Sequence, residues 1–115
     1  MASINLNYRF ISLGTNVGNA VNVKASAGVL YGYEMANNGA ADAYVKLYDS
    51  ASAPTTGSGT PVRTVYLPKG TRQAHVFHDG VSFASGIGHT ITALAADTDA
   101  TAVAANQVVI NLEYF

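Results

Sequence analysis

The chain has three histidines that could do chemistry, and two of them, His75 and His78, lie three positions apart. They fall in a predicted strand, where side chains at odd spacing point to opposite faces, so they could bind one metal ion only across a bulge. His89 could lie near either of them, but the spacing matches no known ligand pattern. We therefore expect surface or core-edge histidines that hydrogen-bond locally, and we predict no metal site.

Carboxylates offer two further possibilities. Asp97 and Asp99 could hold a calcium ion through oxygen ligands, although the segment lacks the glycine and the closing glutamate of a dedicated calcium loop. The sequence favours a solvated turn whose side chains bond their own backbone, and it leaves calcium binding open. Glu34 and Glu113 are the only glutamates, and each lies in a predicted strand. They could form a glycosidase pair if they faced one another, but nothing in the sequence says so.

No nucleophile is recognisable from its surroundings in the chain. Serines are plentiful, but none lies in a Gly-x-Ser-x-Gly elbow, and Gly86 and Gly88 form no phosphate-binding loop before a helix. The chain has no cysteine, which excludes disulfides, thiolate zinc sites and cysteine nucleophiles. We therefore predict a protein that is not an enzyme, with no catalytic residue and no cofactor.

The composition indicates one small domain with part of its surface against a partner. The chain of 115 residues suits a single domain, residues 1–115. Only 11% of these residues are charged, against about 25% in typical soluble domains, and such a surface is more easily understood if a partner covers part of it. The net charge is −1 and the six Lys and Arg residues are scattered, so we expect no nucleic acid partner. The chain has no run of about 18 apolar residues, the length that a membrane-spanning helix requires, so no membrane partner is expected.

Alternation of apolar and polar residues predicts β-structure almost throughout. It is clearest in three segments, Val21–Lys24, Ala43–Tyr48 and Val108–Glu113, each of which turns one face inward. We predict an all-β, antiparallel β-sandwich of about eight strands in two sheets, of the jelly-roll or Greek-key type. The other five candidate strands are Tyr8 to Ser12, Gly28 to Ala36, Val62 to Leu67, Arg72 to His78 and His89 to Leu94.

Three segments carry turn or loop signals. Asn37-Asn38-Gly39 supplies residues that tolerate positive φ, so we expect a hairpin between the strands on either side of it. The segment Ser50 to Thr60 is predicted to be a surface loop at one end of the sandwich. It either contacts a partner or merely crosses between sheets. The alanine-rich segment Ala95 to Asn106 lacks a helical stripe, so an open loop is favoured over a helical turn.

Tyrosines on the predicted strands are the strongest sign of an interface. Tyr31 and Tyr33 are expected to share one strand face, and Tyr44 and Tyr48 another, and such amphipathic rings are favoured at protein interfaces. The last strand should be held within the fold or against a neighbour, because a free aromatic edge invites aggregation. The predicted interface residues are Tyr31, Tyr33, Tyr44, Tyr48, Pro54, Thr55, Thr56, Tyr114 and Phe115.

Several of these segments together form a recognisable pattern. A glycine-bounded strand, Gly-Val-Leu-Tyr-Gly, is followed by the strand Ala-Tyr-Val-Lys-Leu-Tyr-Asp and the loop Ala-Ser-Ala-Pro, and the C-terminal half carries Val-Val-Ile-Asn-Leu. In this pattern the chain resembles the small virion proteins of tailed bacteriophages, of the capsid decoration or cement type. The resemblance covers most of the chain and is strongest from Ala27 to Pro61 and from Ala102 to Leu112.

The resemblance implies a function that residue chemistry alone would not show. It implies a protein that is made in the host cytoplasm and added to the capsid surface of the virion, with the major capsid protein as its partner. Such proteins often bind as homotrimers at three-fold positions and stabilise the shell. A tail, connector or fibre-base component would share the same composition. Outside the virion, the alternative is a carbohydrate-binding β-sandwich whose exposed tyrosines stack on sugar rings.

Overall fold

The structure is a computed structural model that describes residues 5–115. Within this range the chain forms eight strands and one single-turn helix, and each strand overlaps one of the eight predicted segments, although β6 continues to Phe83, beyond the predicted end at His78. The elements in chain order are β1 (Leu6–Ile11), α1 (Asn16–Asn19), β2 (Val21–Lys24), β3 (Gly28–Asn37), β4 (Ala43–Asp49), β5 (Arg63–Leu67), β6 (Arg72–Phe83), β7 (Ile87–Thr92) and β8 (Val108–Tyr114).

The strands form two four-stranded sheets. Sheet 1 has the order β1-β8-β3-β6 and sheet 2 the order β2-β7-β4-β5, and all neighbouring strands are antiparallel. Among these eight strands, only β4 and β5 are both consecutive in the chain and paired, and every other connection crosses from one sheet to the other. This is the strand order of a jelly roll. The predicted antiparallel β-sandwich of about eight strands is confirmed.

The core lies between the inner faces of the two sheets. Ladder partners place their side chains on the same face, so the alternating residues of each strand supply the core as a set. Full burial of one such apolar side chain contributes roughly 1.5–3 kcal/mol relative to its exposure. The largest apolar side chains that are almost completely buried are Leu30, Met35, Leu47, Leu67, Phe83, Ile87, Ile91, Ile110 and Leu112.

The last strand is held in the middle of a sheet, as predicted. β8 lies between β1 and β3. Phe115, just beyond it, exchanges two backbone hydrogen bonds of 2.8 Å with Val29. The Lys24 ammonium group lies 5.5 Å from the centre of the Phe115 ring. The aromatic end of the described chain is therefore paired on its backbone.

The predicted hairpin at Asn37-Asn38-Gly39 is wrong. β3 belongs to sheet 1 and β4 to sheet 2, so this segment crosses between the sheets. Asn37 is buried and acts as a hydrogen-bonding group: its Oδ1 accepts from the Gly39 amide at 3.0 Å, and its Nδ2 donates to the carbonyls of Ala41 and Leu67, each at 2.9 Å. Asn37 therefore serves this segment through its side-chain hydrogen bonds and not through a backbone of positive φ.

Asn37 belongs to a buried polar network that closes one end of the sandwich, named here the Gln107 end. Gln107 Nε2 donates to Asn37 Oδ1 at 3.3 Å, and Gln107 Oε1 accepts from the Ala104 amide at 2.9 Å. Ser12 Oγ accepts from the amides of Gln107 and Val108, each at 3.0 Å, and donates to the Ala104 carbonyl at 2.8 Å. The network therefore ties together the segments that follow β1, follow β3 and precede β8.

A bulge in β3 separates two tyrosines that were expected to share a face. The register shifts between Leu30 and Gly32 in both ladders of β3, which interrupts the alternation of its side chains. Tyr33 packs against the core, whereas the Tyr31 ring lies beside Gly80, where an added Cβ would be 3.0 Å from Tyr31 Cε1. The prediction of a shared face for Tyr31 and Tyr33 is therefore wrong.

His89 lies in the core between the sheets, whereas a surface or core-edge position was expected. It is completely buried, its Nε2 is 2.9 Å from the Tyr8 hydroxyl, and its ring centre is 4.9 Å from that of Phe10. Burial lowers the pKa of His89 to about 4, against a weaker opposing contact with the Asn19 backbone. Burial also raises the pKa of Tyr8 to about 12, with a smaller contribution from Tyr114. His89 is therefore neutral in the folded protein at physiological pH.

This buried histidine makes stability depend on pH. His89 titrates at its ordinary pKa of 6.5 in the unfolded chain but at about 4 when folded, so between these values the unfolded chain binds a proton that the folded protein excludes. The stability that neutral His89 contributes to the folded protein is complete above pH 6.5 and is lost as the pH falls towards 4. The loss is on the order of 3 kcal/mol and levels off at lower pH.

Urea unfolding of the wild type and of His89→Gln at a series of pH values would measure this difference. We expect the steeper acid loss in the wild type, while His78→Gln at an exposed position should retain it. If His89→Gln does not fold, proton NMR titration of the His89 ring in the wild type gives the pKa directly. A value near 6.5 would contradict the burial argument.

Candidate functional site

The two sheets differ in what covers their outer faces. On sheet 2, Tyr48, Lys46, Thr90 and Thr92 alternate with core residues and so point away from the core, yet all four are buried. Two long loops fold over this face and account for the burial. The chain itself therefore covers the outer face of sheet 2 over β4 and β7, although Thr64 and Tyr66 on β5 stay exposed. Within residues 5–115, the outer face of sheet 1 is open.

The first covering loop is Ser50 to Thr60, which was expected at one end of the sandwich. It leaves the end of β4 but lies against the outer face of sheet 2. Pro54 packs on Gly88 so closely that an added Cβ there would be 2.8 Å from the Pro54 ring. Thr56 Oγ1 donates to the Asn16 carbonyl at 3.3 Å. The expected position at an end is therefore wrong, because this loop packs on the face of the sheet.

The second covering loop is Ala95 to Asn106, and its prediction as an open loop is confirmed. The Lys46 ammonium group reaches it from sheet 2 and donates to the Ala96 carbonyl at 2.6 Å. Desolvation lowers the pKa of Lys46, and the nearby carboxylates of Asp99 and Asp97 oppose that shift. The Lys46 ammonium group therefore supplies positive charge near the carboxylates of Asp97 and Asp99. Among residues 5–115, no group of three or more His, Cys, Asp or Glu side chains is placed to hold a metal ion.

The nine residues that the sequence proposed as an interface do not form one surface. Tyr48 is buried beneath the Ser50 to Thr60 loop, and Tyr33 and Tyr114 pack against the core. Only Thr55 and Phe115 are exposed. The remaining four are half-buried at separate places: Tyr31 beside Gly80, Tyr44 stacked on Tyr66 with ring centres 5.0 Å apart, and Pro54 and Thr56 within the covering loop.

An exposed apolar segment follows β1, and we name Leu13 to Val17 the apolar tip. Val17 is 86% exposed and Leu13 is 50% exposed. The buried Asn19 side chain fixes this segment, since its Oδ1 accepts from the Leu13 amide at 2.7 Å and its Nδ2 donates to the Leu13 carbonyl at 2.8 Å. Thr15 caps the helix by accepting from the Gly18 amide at 3.1 Å. The tip thus displays apolar side chains from a fixed backbone.

The tip is also joined to both covering loops. Its Asn16 carbonyl accepts from Thr56 Oγ1 in the first loop, and its Asn16 side chain donates to the Ala100 carbonyl in the second. The sequence reasoning did not identify this segment. A signal was present, because threonine before a short polar stretch is a typical helix cap, and Val17 lies in that stretch without an apolar neighbour on either side.

The open outer face of sheet 1 carries a groove of about 660 Å³, named here the sheet 1 groove. It crosses all four strands of the sheet. Ladder partners arrange its outward side chains in two adjacent rows. The first row is Arg9, Asn111, Glu34 and Ala74, and the second is Asn7, Glu113, Gly32 and Val76.

The groove brings together the two glutamates whose relation the sequence left open. Glu34 and Glu113 lie on neighbouring strands at diagonal positions of the same face. Both are exposed, and Glu34 forms an ion pair of 2.5 Å with Arg72. A glycosidase acid is normally kept protonated by burial, and neither side chain has that environment. The arrangement is suited to accepting hydrogen bonds from a ligand.

Comparison with known proteins adds no assignment. The chain matches no protein-family model, no curated protein and no solved structure. No helix in the described part of the chain is long and apolar enough to cross a membrane.

The packing of Pro54 on Gly88 provides a direct test of the covered face. We expect Gly88→Ala to lift the Ser50 to Thr60 loop, because the new Cβ would lie 2.8 Å from the Pro54 ring, and to lower stability by about 1–3 kcal/mol. Hydrogen exchange of the loop amides and thermal unfolding would measure both effects.

A matched control is Gly14→Ala, where the nearest atom to an added Cβ is 3.8 Å away. It should leave the exchange rates of the loop unchanged. Equal protection of the loop in Gly88→Ala and in the wild type would contradict the described packing.

Proposed function

We propose that this protein is a structural component of a tailed-bacteriophage virion that binds the outer surface of the capsid shell and stabilises it. The observation that carries the proposal is the apolar tip. Single exposed apolar residues are ordinary, but Leu13 and Val17 project from a segment that hydrogen bonds hold in place. A segment that is already ordered loses little conformational entropy on binding, so a larger part of the free energy of burying its apolar side chains is available for affinity.

The fold and the sequence pattern support the same proposal. Jelly rolls occur in viral capsid domains and in lectins, so the architecture is compatible with a virion protein without requiring one. The resemblance in the segments Ala27 to Pro61 and Ala102 to Leu112 favours the virion. The low share of charged residues, 11%, suits a protein that works in contact with a large surface.

The proposed mechanism is stabilisation by binding the assembled state. A protein that contacts two neighbouring shell subunits at once favours the closed shell over the separated subunits by the free energy of that binding. A homotrimer would present three apolar tips to the shell. Linking weak sites in this way raises their effective concentration and gives strong attachment from modest individual contacts. The major capsid protein is the proposed partner.

A tail, connector or fibre-base component is the alternative within the virion. Such a protein could use the same apolar tip, so the tip does not separate the two roles. Copy number separates the two roles, since a shell decoration is present in far more copies than a tail part. Quantitative mass spectrometry of purified particles, with the major capsid protein as internal standard, would distinguish them.

The tip can be tested by a single charge substitution. We expect Val17→Asp to fold normally because the side chain is 86% exposed, and to reduce binding to undecorated particles at least about tenfold because a carboxylate would be desolvated in the contact. Co-sedimentation with particles that lack the protein would measure the binding. The temperature of genome release would measure the stabilisation.

The matched control for this experiment is Val76→Asp, at a valine that is 82% exposed but lies on sheet 1 away from the tip. It should bind particles as the wild type does. Wild-type binding by Val17→Asp would remove the tip from the interface. Particles that release their genome at the same temperature with and without the protein would refute the stabilising role.

A further inference from the structure

We propose that the sheet 1 groove is a second binding site and that its ligand is a neutral oligosaccharide. This proposal is independent of attachment to a shell, because it depends on different residues. The apolar tip follows β1 at the Gln107 end of the sandwich, whereas the groove crosses the strands of sheet 1. One protein could therefore be attached through its tip and still present the groove.

The shape of the groove comes from small residues at its centre. Gly32 and Ala74 occupy neighbouring strands in adjacent rows, so the floor there lies close to the backbone. An added Cβ at Gly32 would be 3.0 Å from the His75 carbonyl oxygen. Longer side chains border this floor, from Glu34 and Val76 on the same two strands and from Asn111 and Glu113 on β8. The volume of about 660 Å³ lies within the range of roughly 300–1,000 Å³ that is usual for small-ligand sites.

The polar groups around the floor match the chemistry of hydroxyl groups. Glu34 and Glu113 offer carboxylate acceptors, Arg9 offers guanidinium donors, and the amides of Asn7 and Asn111 offer both. A sugar hydroxyl both donates and accepts, so a chain of sugars can satisfy such a mixed set. The exposed Val76 and the floor residues offer apolar surface for the C–H groups of a sugar ring.

The charges of the groove favour a neutral ligand over an anionic or a cationic one. The lining holds Arg9, Glu34 and Glu113, and Arg72 just outside it pairs with Glu34, so these four charges balance across this face. The carboxylates would repel phosphate or nucleic acid, and the arginines would repel a basic peptide. Peptides that add a strand bind along a sheet edge, where backbone groups are free. The groove lies on the face of the sheet, where side chains must provide recognition.

The experiment uses the isolated full-length protein. A printed array of neutral oligosaccharides identifies a bound sugar, and ¹⁵N NMR titration with that sugar locates it. We expect chemical-shift changes at the amides of Gly32, Ala74 and Asn111. Glu113→Ala, which removes an acceptor, and Ala74→Phe, which fills the floor, should each weaken binding about tenfold or more. Thermal unfolding would confirm that both variants are folded.

Two controls separate this site from the rest of the molecule. Asp79→Ala removes an exposed carboxylate from β6 outside the groove lining and should bind the sugar as the wild type does. Val17→Asp should also retain sugar binding, whereas Glu113→Ala should retain binding to particles. If the tip fails its own test but the sugar titration succeeds, only the shell proposal is lost.

Several results would overturn the proposal. These are an array without a bound neutral sugar, binding that Glu113→Ala and Ala74→Phe leave unchanged, and shift changes confined to residues outside the groove. Preference for acidic or basic sugars on the array would contradict the charge argument. If Ala74→Phe instead changed the oligomeric state in light scattering, the groove would be an interface between copies of this chain.

Discussion

The buried polar network at the Gln107 end is the constraint on which the rest of the structure depends. In a jelly roll the chain passes repeatedly from one sheet to the other, and each crossing leaves backbone groups that no strand can pair. Gln107, Asn37 and Ser12 pair such groups with side chains that are almost completely buried. An unpaired group in their place would be desolvated without compensation. Because Ser12 directly precedes the apolar tip, the same bonds also fix where the tip begins.

The network also decides which sheet remains open. Gln107 fixes the return of the Ala95 to Asn106 loop into β8, and that loop lies over sheet 2, where Lys46 bonds to it. The Ser50 to Thr60 loop completes the cover through Pro54. Within residues 5–115, no such loop lies on the outer face of sheet 1, so the groove stays accessible. The difference between the outer faces of the two sheets therefore follows from the connections between the strands.

The strands could be predicted from the sequence because alternation is a local signal, but the relations between strands could not. Nothing local showed that Glu34 and Glu113 share a groove, since that depends on the pairing of β3 with β8. The bulge at Tyr31 reversed the expected face of one tyrosine. Lys46 has the position of an outward lysine on a strand, and its burial depends on a loop about fifty residues away in the chain.

The low charge of the chain has a partly internal explanation. The sequence suggested that a partner covers part of a surface with 11% charged residues, yet the chain itself covers the outer face of sheet 2 over β4 and β7. The two covering loops consist mainly of Ala, Gly, Ser, Thr and Pro, and these short side chains let the loop backbone lie directly on the sheet, as Pro54 does on Gly88. The loops are themselves mostly exposed, so this side of the protein remains a surface of small and mostly uncharged residues. If the apolar tip attaches the protein to a shell, as proposed, it is a small contact that the binding of several linked copies would strengthen.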